Sequence, residues 1–210
     1  MIAREGYVPL GLTLLLAAGF GFSGAWLPGG AAVGASVLLF WLYLEGRRQV
    51  PAAPRGILAP VDGLVRHVEP SGNPWLEGEM LRISVSVSPP GIKLLHSVVE
   101  GKIKDLWTRY GPFGESQLKR SLDASPDCYA LWVQTDDGDD VIVAVSSRWP
   151  VSRCRFDKSP GERLGHGNRF GFVYFGSSVD VLVPPDSTAR VAVGDRVRAA
   201  ESILAELNPD

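Results

Sequence analysis

Three histidines, one Asp-Gly turn and one glycine followed by two serines hold most of the chemistry that this 210-residue sequence offers. His67 lies in "LVRHVE", where an exposed strand position accounts for it without any catalytic task. His96 comes directly after "SPPGIKLL", at the start of a strand that follows a proline-glycine turn. Such loop-strand junctions hold a reactive side chain firmly and leave it accessible. Asp62, in "APVDG", is equally well placed, although an Asp-Gly pair is by itself ordinary turn chemistry. The stretch "GNRFGFVYFGSSVDVLVPP" (Gly167–Pro185) reads as a strand of aromatic and β-branched residues ending at a double proline. Gly176-Ser177-Ser178 interrupts it with a residue that has no side chain and two small hydroxyls. A serine becomes a nucleophile when a base takes its proton and a carboxylate orients that base, which makes Asp62, His96 and Ser177 the candidate set. Nothing local brings the three together.

The elements that must position them are mostly strands. Twenty-four glycines, 16 prolines and only two methionines suit many short strands and turns better than a helical bundle. The segments 57–70, 80–90, 96–107 and 129–147 alternate or run apolar between Gly, Pro or Asp residues, and "TDDGDD" (Thr135–Asp140) is a hairpin signal. Near the C-terminus "ARVAVGDRVRAAESILAEL" gives strand, Val-Gly-Asp turn, strand. Residues 57–210 are therefore expected to form one mainly β domain. A formal charge of −2 and the lack of a polybasic excess argue against a nucleic-acid partner. Cys128 and Cys154 are too few and too loosely spaced for a disulfide framework or a zinc site, and no metal is expected.

The chain opens differently. Gly6 to Leu44 carries no charged residue and is divided by "LPGG" at Leu27–Gly30. A membrane-spanning helix needs about 20 apolar residues, so residues 1–45 are expected to form two short helices joined at that turn, a transmembrane or re-entrant hairpin. Ala31–Leu44 is the shorter half and suits re-entry. Arg4 precedes the run, and Arg47, Arg48 and Arg55 follow it, which places both ends on the cytoplasmic side of an inner membrane. The apolar region is too long for a cleaved signal peptide. Residues 46–56, rich in proline and arginine, are expected to be a juxtamembrane linker.

Taken together, "APVDG", "SVSPPGIKLLH", "SLDASPD", "GERLGHGNRFGFVYFGSSVDVLVP" and "VAVGDRVRAAESILAEL" resemble the phosphatidylserine decarboxylase family in order and spacing, over nearly the whole chain. The most specific piece is "FGSS" after an aromatic strand, which is similar to the family's self-cleavage motif. The resemblance implies a barrel-sandwich-hybrid-like β domain and a proenzyme that cuts itself at Gly176-Ser177. In that reading His96 is the base, Asp62 orients it, and Ser177 becomes a covalent pyruvoyl group whose carbonyl takes the place of a diffusible cofactor. The implied partners are phosphatidylserine as substrate, membrane lipids, the two cleaved chains held to each other, and a second copy in a homodimer.

Two positions depart from the family pattern. Where it carries an acidic residue and then a histidine after "SP", this chain has Gly91 and Lys93. The resemblance ties the missing histidine to decarboxylation and the retained His96 to self-cleavage. Lys93, with a pKa lowered by burial, and His166 are the substitute proton donors; a solvated loop residue is the alternative for each. Arg153 and Arg155 fall near the family's arginine pair and are candidates for a lipid phosphate, with solvated strand charges the alternative. Two non-catalytic readings stay open: a membrane-anchored scaffold for lipid enzymes, and a lipoyl-like binding module, for which no modified-lysine hairpin is present.

Overall fold

The structure is a computed structural model that describes residues 7–22, 26–42, 48–73, 75–76, 78–88, 93–109, 128–147, 154–173 and 177–208. The chain divides into two compact units. The first contains helices α1 (Tyr7–Phe22) and α2 (Trp26–Leu42), which lie against each other. Leu27–Gly30, where a turn is expected, instead form the opening of α2. A first-turn proline such as Pro28 lacks only an N–H that would have had no intrahelical partner, so it starts a helix as readily as it breaks one. Lengths of 16 and 17 residues reach about 24 and 26 Å, short of a hydrocarbon core of about 30 Å. Among the described residues no helix is long and apolar enough to cross a membrane, and the expected transmembrane or re-entrant hairpin is not confirmed; what is described is two short apolar helices.

The second unit, Arg48–Pro89 with Lys93–Asp210, is mainly β, as the alternation implies. Its strands are β1 (Gly56–Leu58), β2 (Gly63–Gly72), β3 (Glu79–Val87), β4 (Lys93–His96), β5 (Gly101–Arg109), β6 (Cys128–Gln134) and β7 (Asp140–Ser147). They continue with β8 (Cys154–Phe156), β9 (Arg163–Leu164), β10 (Arg169–Val173), β11 (Ser177–Val183), β12 (Thr188–Ala189), β13 (Arg196–Val197) and β14 (Ile203–Glu206). The large sheet runs β13-β2-β3-β11-β7-β6-β5-β9, and two three-stranded sheets, β1-β14-β12 and β4-β10-β8, complete the unit. Residues 48–56 of the expected linker belong to this unit, and Gly56 already opens β1.

Period-two side chains decide what each face of the large sheet does. Ile83 and Val85, Val179 and Val181, Val143 and Val145, and Leu131 and Val133 point into one core. The alternate residues Leu182, Ile142, Ala144, Ala130 and Cys128 build a second cluster under Trp75, Trp107 and Trp132, whose rings stack at 5.6 and 5.7 Å. The β6–β7 hairpin closes through Gly138 at φ +101°, where the sequence places Asp-Asp-Gly-Asp-Asp. At Gly63 an added Cβ would run into the Ser86 carbonyl and the Val85 side chain. Glycine there lets β2 lie close on β3 just after Asp62.

Candidate active site

The site begins with the short segment that joins β1 to β2. Leu58 N–H donates to the Val98 carbonyl, Ala59 N–H to the Ser202 carbonyl, and Ala200 N–H returns to the Ala59 carbonyl, at 2.8–2.9 Å. The Pro60 carbonyl accepts the His96 N–H at 2.9 Å, and the Asp62 carbonyl accepts the Ser88 N–H at 3.0 Å. Residues 58–62 are thus fixed along their length, and His96 and Asp62 hang from the same stretch of backbone. Ala200 holds φ +59°, a left-handed conformation that costs a non-glycine residue about 1–2 kcal/mol. The turn that bears this strain also offers the Ala199 N–H, which donates to Asp62 Oδ1 at 2.9 Å.

Asp62 Oδ2 accepts from Arg48 Nη2 at 2.7 Å, and Lys93 Nζ stands 3.9 Å from the same oxygen. Burial alone would raise the Asp62 pKa; the bonds from Arg48 and Ala199 and the charges of Arg48 and Lys93 outweigh it and hold the carboxyl below its usual value. His96 is buried, and burial first, then the Arg48 charge, lowers its pKa. A backbone bond at Leu94 and the Asp62 charge pull the other way, and Arg169 lowers it further. Both shifts run in the direction that suits a general base and the carboxylate that orients it, toward an ionised Asp62 and a neutral His96.

Ser177, only 3% exposed, is the first residue of β11. It pairs with Ser147 on β7, and its neighbour Ser178 pairs with Ser86 on β3, which pairs in turn with Leu64 on β2. That register puts Ser177 and the Asp62-Gly63 turn at the same end of the large sheet. β10 and β11, one strand in the sequence reading, belong to different sheets. Ser177 therefore opens a strand in a different sheet from the one in which β10 ends. Lys93 pairs with Val173, the last residue of β10, four positions before Ser177.

The structure thus groups Asp62, Lys93 and His96 and sets Ser177 at the same sheet end. His166 is engaged elsewhere, its Nε2 lying 2.9 Å from the Gly56 carbonyl. Arg155 is mostly exposed beside Asp157, and His67 is an exposed strand residue. Gly176, Gly91 and Arg153 lie outside the described residues. Sequence reasoning assigned Arg48 only to the membrane flank and missed the Ala199 N–H and Arg169 altogether. It also passed over Asp180, a buried acid in the middle of apolar β11, for which the sequence does hold a signal: a lone charge inside "SSVDVLVPP".

A profile of the phosphatidylserine decarboxylase family matches residues 37–205. The chain belongs to the phosphatidylserine decarboxylase family. Relatives named phosphatidylserine decarboxylase proenzyme are 33% identical in Nitrosomonas eutropha, covering 98% of this chain and 95% of the relative, and 34% identical in Nitrosomonas europaea, covering 99% and 96%. A third, from Aromatoleum aromaticum, is 31% identical over 99% of this chain and 96% of its own length. No solved structure matches the chain significantly. The family match and the relatives' name do not favour the scaffold or binding-module readings.

Proposed function

We propose that this chain is a phosphatidylserine decarboxylase that matures by cutting its own Gly176-Ser177 bond and then converts phosphatidylserine to phosphatidylethanolamine and carbon dioxide. The observation that carries the reading is that buried His96 is tied through its amide to Pro60, two residues before Asp62, at the sheet end where β11 opens with Ser177.

In maturation His96 takes the Ser177 hydroxyl proton while Oγ attacks the Gly176 carbonyl carbon, and the amide becomes an ester as the proton moves to the departing nitrogen. Asp62 stabilises the transient imidazolium through its charge. Loss of the Ser177 α-proton then expels the Gly176 carboxylate and leaves dehydroalanine. Addition of water releases ammonia and leaves a pyruvoyl group at the head of residues 177–210.

The place fits such a group. Residue 177 is buried at the head of β11, opposite Ser147 in the β7 register, so a ketone and amide there would be shielded from bulk water. The pyruvoyl carbonyl would supply an electrophile that joins the substrate amine and withdraws electrons as carbon dioxide leaves. Lys93 is the better placed of the two candidate proton donors to the α-carbon, because it stands with Asp62 whereas the His166 ring is engaged with Gly56. The apolar helices bring the enzyme to its lipid: Leu12, Leu15 and Leu27 are 60%, 72% and 91% exposed, a surface suited to acyl chains at the cytoplasmic face of the inner membrane. Barrel-sandwich packing of the three sheets and a homodimer complete the reading.

Intact mass of the purified protein tests it. We expect two chains, Met1–Gly176 and a fragment beginning at residue 177 with a blocked N-terminus, and a single uncut chain for Ser177→Ala. An uncut wild-type protein overturns the proposal.

A further inference from the structure

We propose that Arg48 is a positioning residue for self-cleavage, clamping Asp62 so that its carboxylate faces His96 in a fixed orientation. This rests on the maturation reading above and adds a residue to it.

The Asp62 carboxylate is held from two sides. Arg48 Nη2 takes Oδ2 at 2.7 Å, and the Ala199 N–H takes Oδ1 at 2.9 Å, which fixes the plane of the group. The clamp is closed by the chain itself. Gln49 N–H donates to Glu201 Oε1 at 3.4 Å, so the residue after Arg48 is tied to the same turn that presents Ala199. Ordinary linker chemistry does not explain the placement. The Arg48 side chain is three-quarters buried, and its Nε is buried with no acceptor among the described residues. Burying most of a guanidinium costs stability, and its bond to Asp62 is the interaction that offsets this.

Arg48 also faces the base. The charged groups around His96 are Arg48 from the segment before β1, Asp62 from the β1–β2 turn, Arg169 from β10 with Asp157 beside it, and Lys93 at the head of its own strand. Removing the Arg48 charge leaves Asp62 to Lys93 and relieves the field that favours neutral imidazole. Since cleavage needs the unprotonated base, its acid limb then moves to higher pH.

The experiment is a time course of loss of the full-length chain during cell-free synthesis, from pH 5.5 to 8, on the complete protein. Arg48→Gln keeps a donor for Asp62 and removes the charge; its cleavage midpoint should rise above that of the wild type. Arg48→Ala should slow cleavage tenfold or more on the plateau, and Arg48→Lys should restore the wild-type midpoint. Arg190→Ala, which removes an exposed pair with Glu206, is the surface control. Should Arg48→Ala fail to fold, the midpoint of Arg48→Gln decides. A wild-type midpoint in Arg48→Gln, with wild-type chain cut and Ser177→Ala uncut, overturns the Arg48 assignment alone. Uncut wild-type chain, or cleavage of Ser177→Ala, overturns the maturation reading and this inference with it.

Discussion

The His96 amide donates to the Pro60 carbonyl at 2.9 Å, so the candidate base is tied by its own backbone to the segment that carries Asp62 two residues later. Removing either side chain should therefore leave the scaffold standing and stop the chemistry. His96→Ala and Asp62→Asn are expected to fold, with self-cleavage slowed by on the order of 10²-fold or more, the usual contribution of a positioned base. Denaturing gels sampled over hours check this. Efficient processing of His96→Ala would remove it from the mechanism.

Lys93 separates maturation from turnover. It touches Asp62 only at 3.9 Å and lies level with Val173 rather than beside His96 in the β4 register, so maturation should survive its loss. We expect Lys93→Ala to be cut and to carry the blocked fragment, while carbon dioxide release from carboxyl-labelled phosphatidylserine falls about 10²-fold, the scale of a lost proton donor. Lys93→His should recover part of that rate. Full release by Lys93→Ala would assign the proton elsewhere.

The sequence revealed the long strands because burial writes alternation into them. Val143 and Val145 against Ala144, and Val179 and Val181 against Asp180, are visible without coordinates. β9, β12 and β13, two residues each, carry too little pattern to be seen, since their pairing depends on where longer strands leave the chain. Asp62, His96 and Ser177 were legible as residue types and by resemblance. The Arg48 and Ala199 contacts were not. Ala199 is 137 positions from Asp62 and contributes only a backbone N–H, which any residue but proline provides. Arg48 follows an apolar run, where a cation reads first as a topology signal.

Asp180 should make stability depend on pH in the direction opposite to Asp62. Burial raises its pKa, against the lowering effects of the Ser84 bond and of Arg82 and His67, with Glu69 adding to the rise. A carboxyl whose folded pKa lies above its unfolded value of about 3.8 is favoured while protonated, so its contribution is lost as pH climbs through the folded value. Asp180→Asn copies the protonated form. Its Tm should exceed that of the wild type by a few degrees at neutral pH, the shift that about 1 kcal/mol produces in a domain of this size. The gap should close near pH 3.8. A difference that stays constant across this range would show that the charge is not the cause.

Cleavage before Ser177 should not separate the two chains. The cut leaves β11 as an interior strand of the large sheet, paired to β3 from Ser178 to Val183 and to β7 from Ser177 to Leu182. Its Val179, Val181 and Val183 are fully buried in the core, and full burial of each such side chain is worth about 1.5–3 kcal/mol. β13 and β14 follow on the same fragment and pair with β2 and β1 of the larger one, so the pieces hold each other at both ends. Under native conditions the fragments should co-elute from a sizing column and part only in denaturant, with one unfolding transition shared by both. Release of residues 177–210 from native protein would mean that the break frees β11, and the sheet pairing described here could not be what keeps the mature enzyme whole.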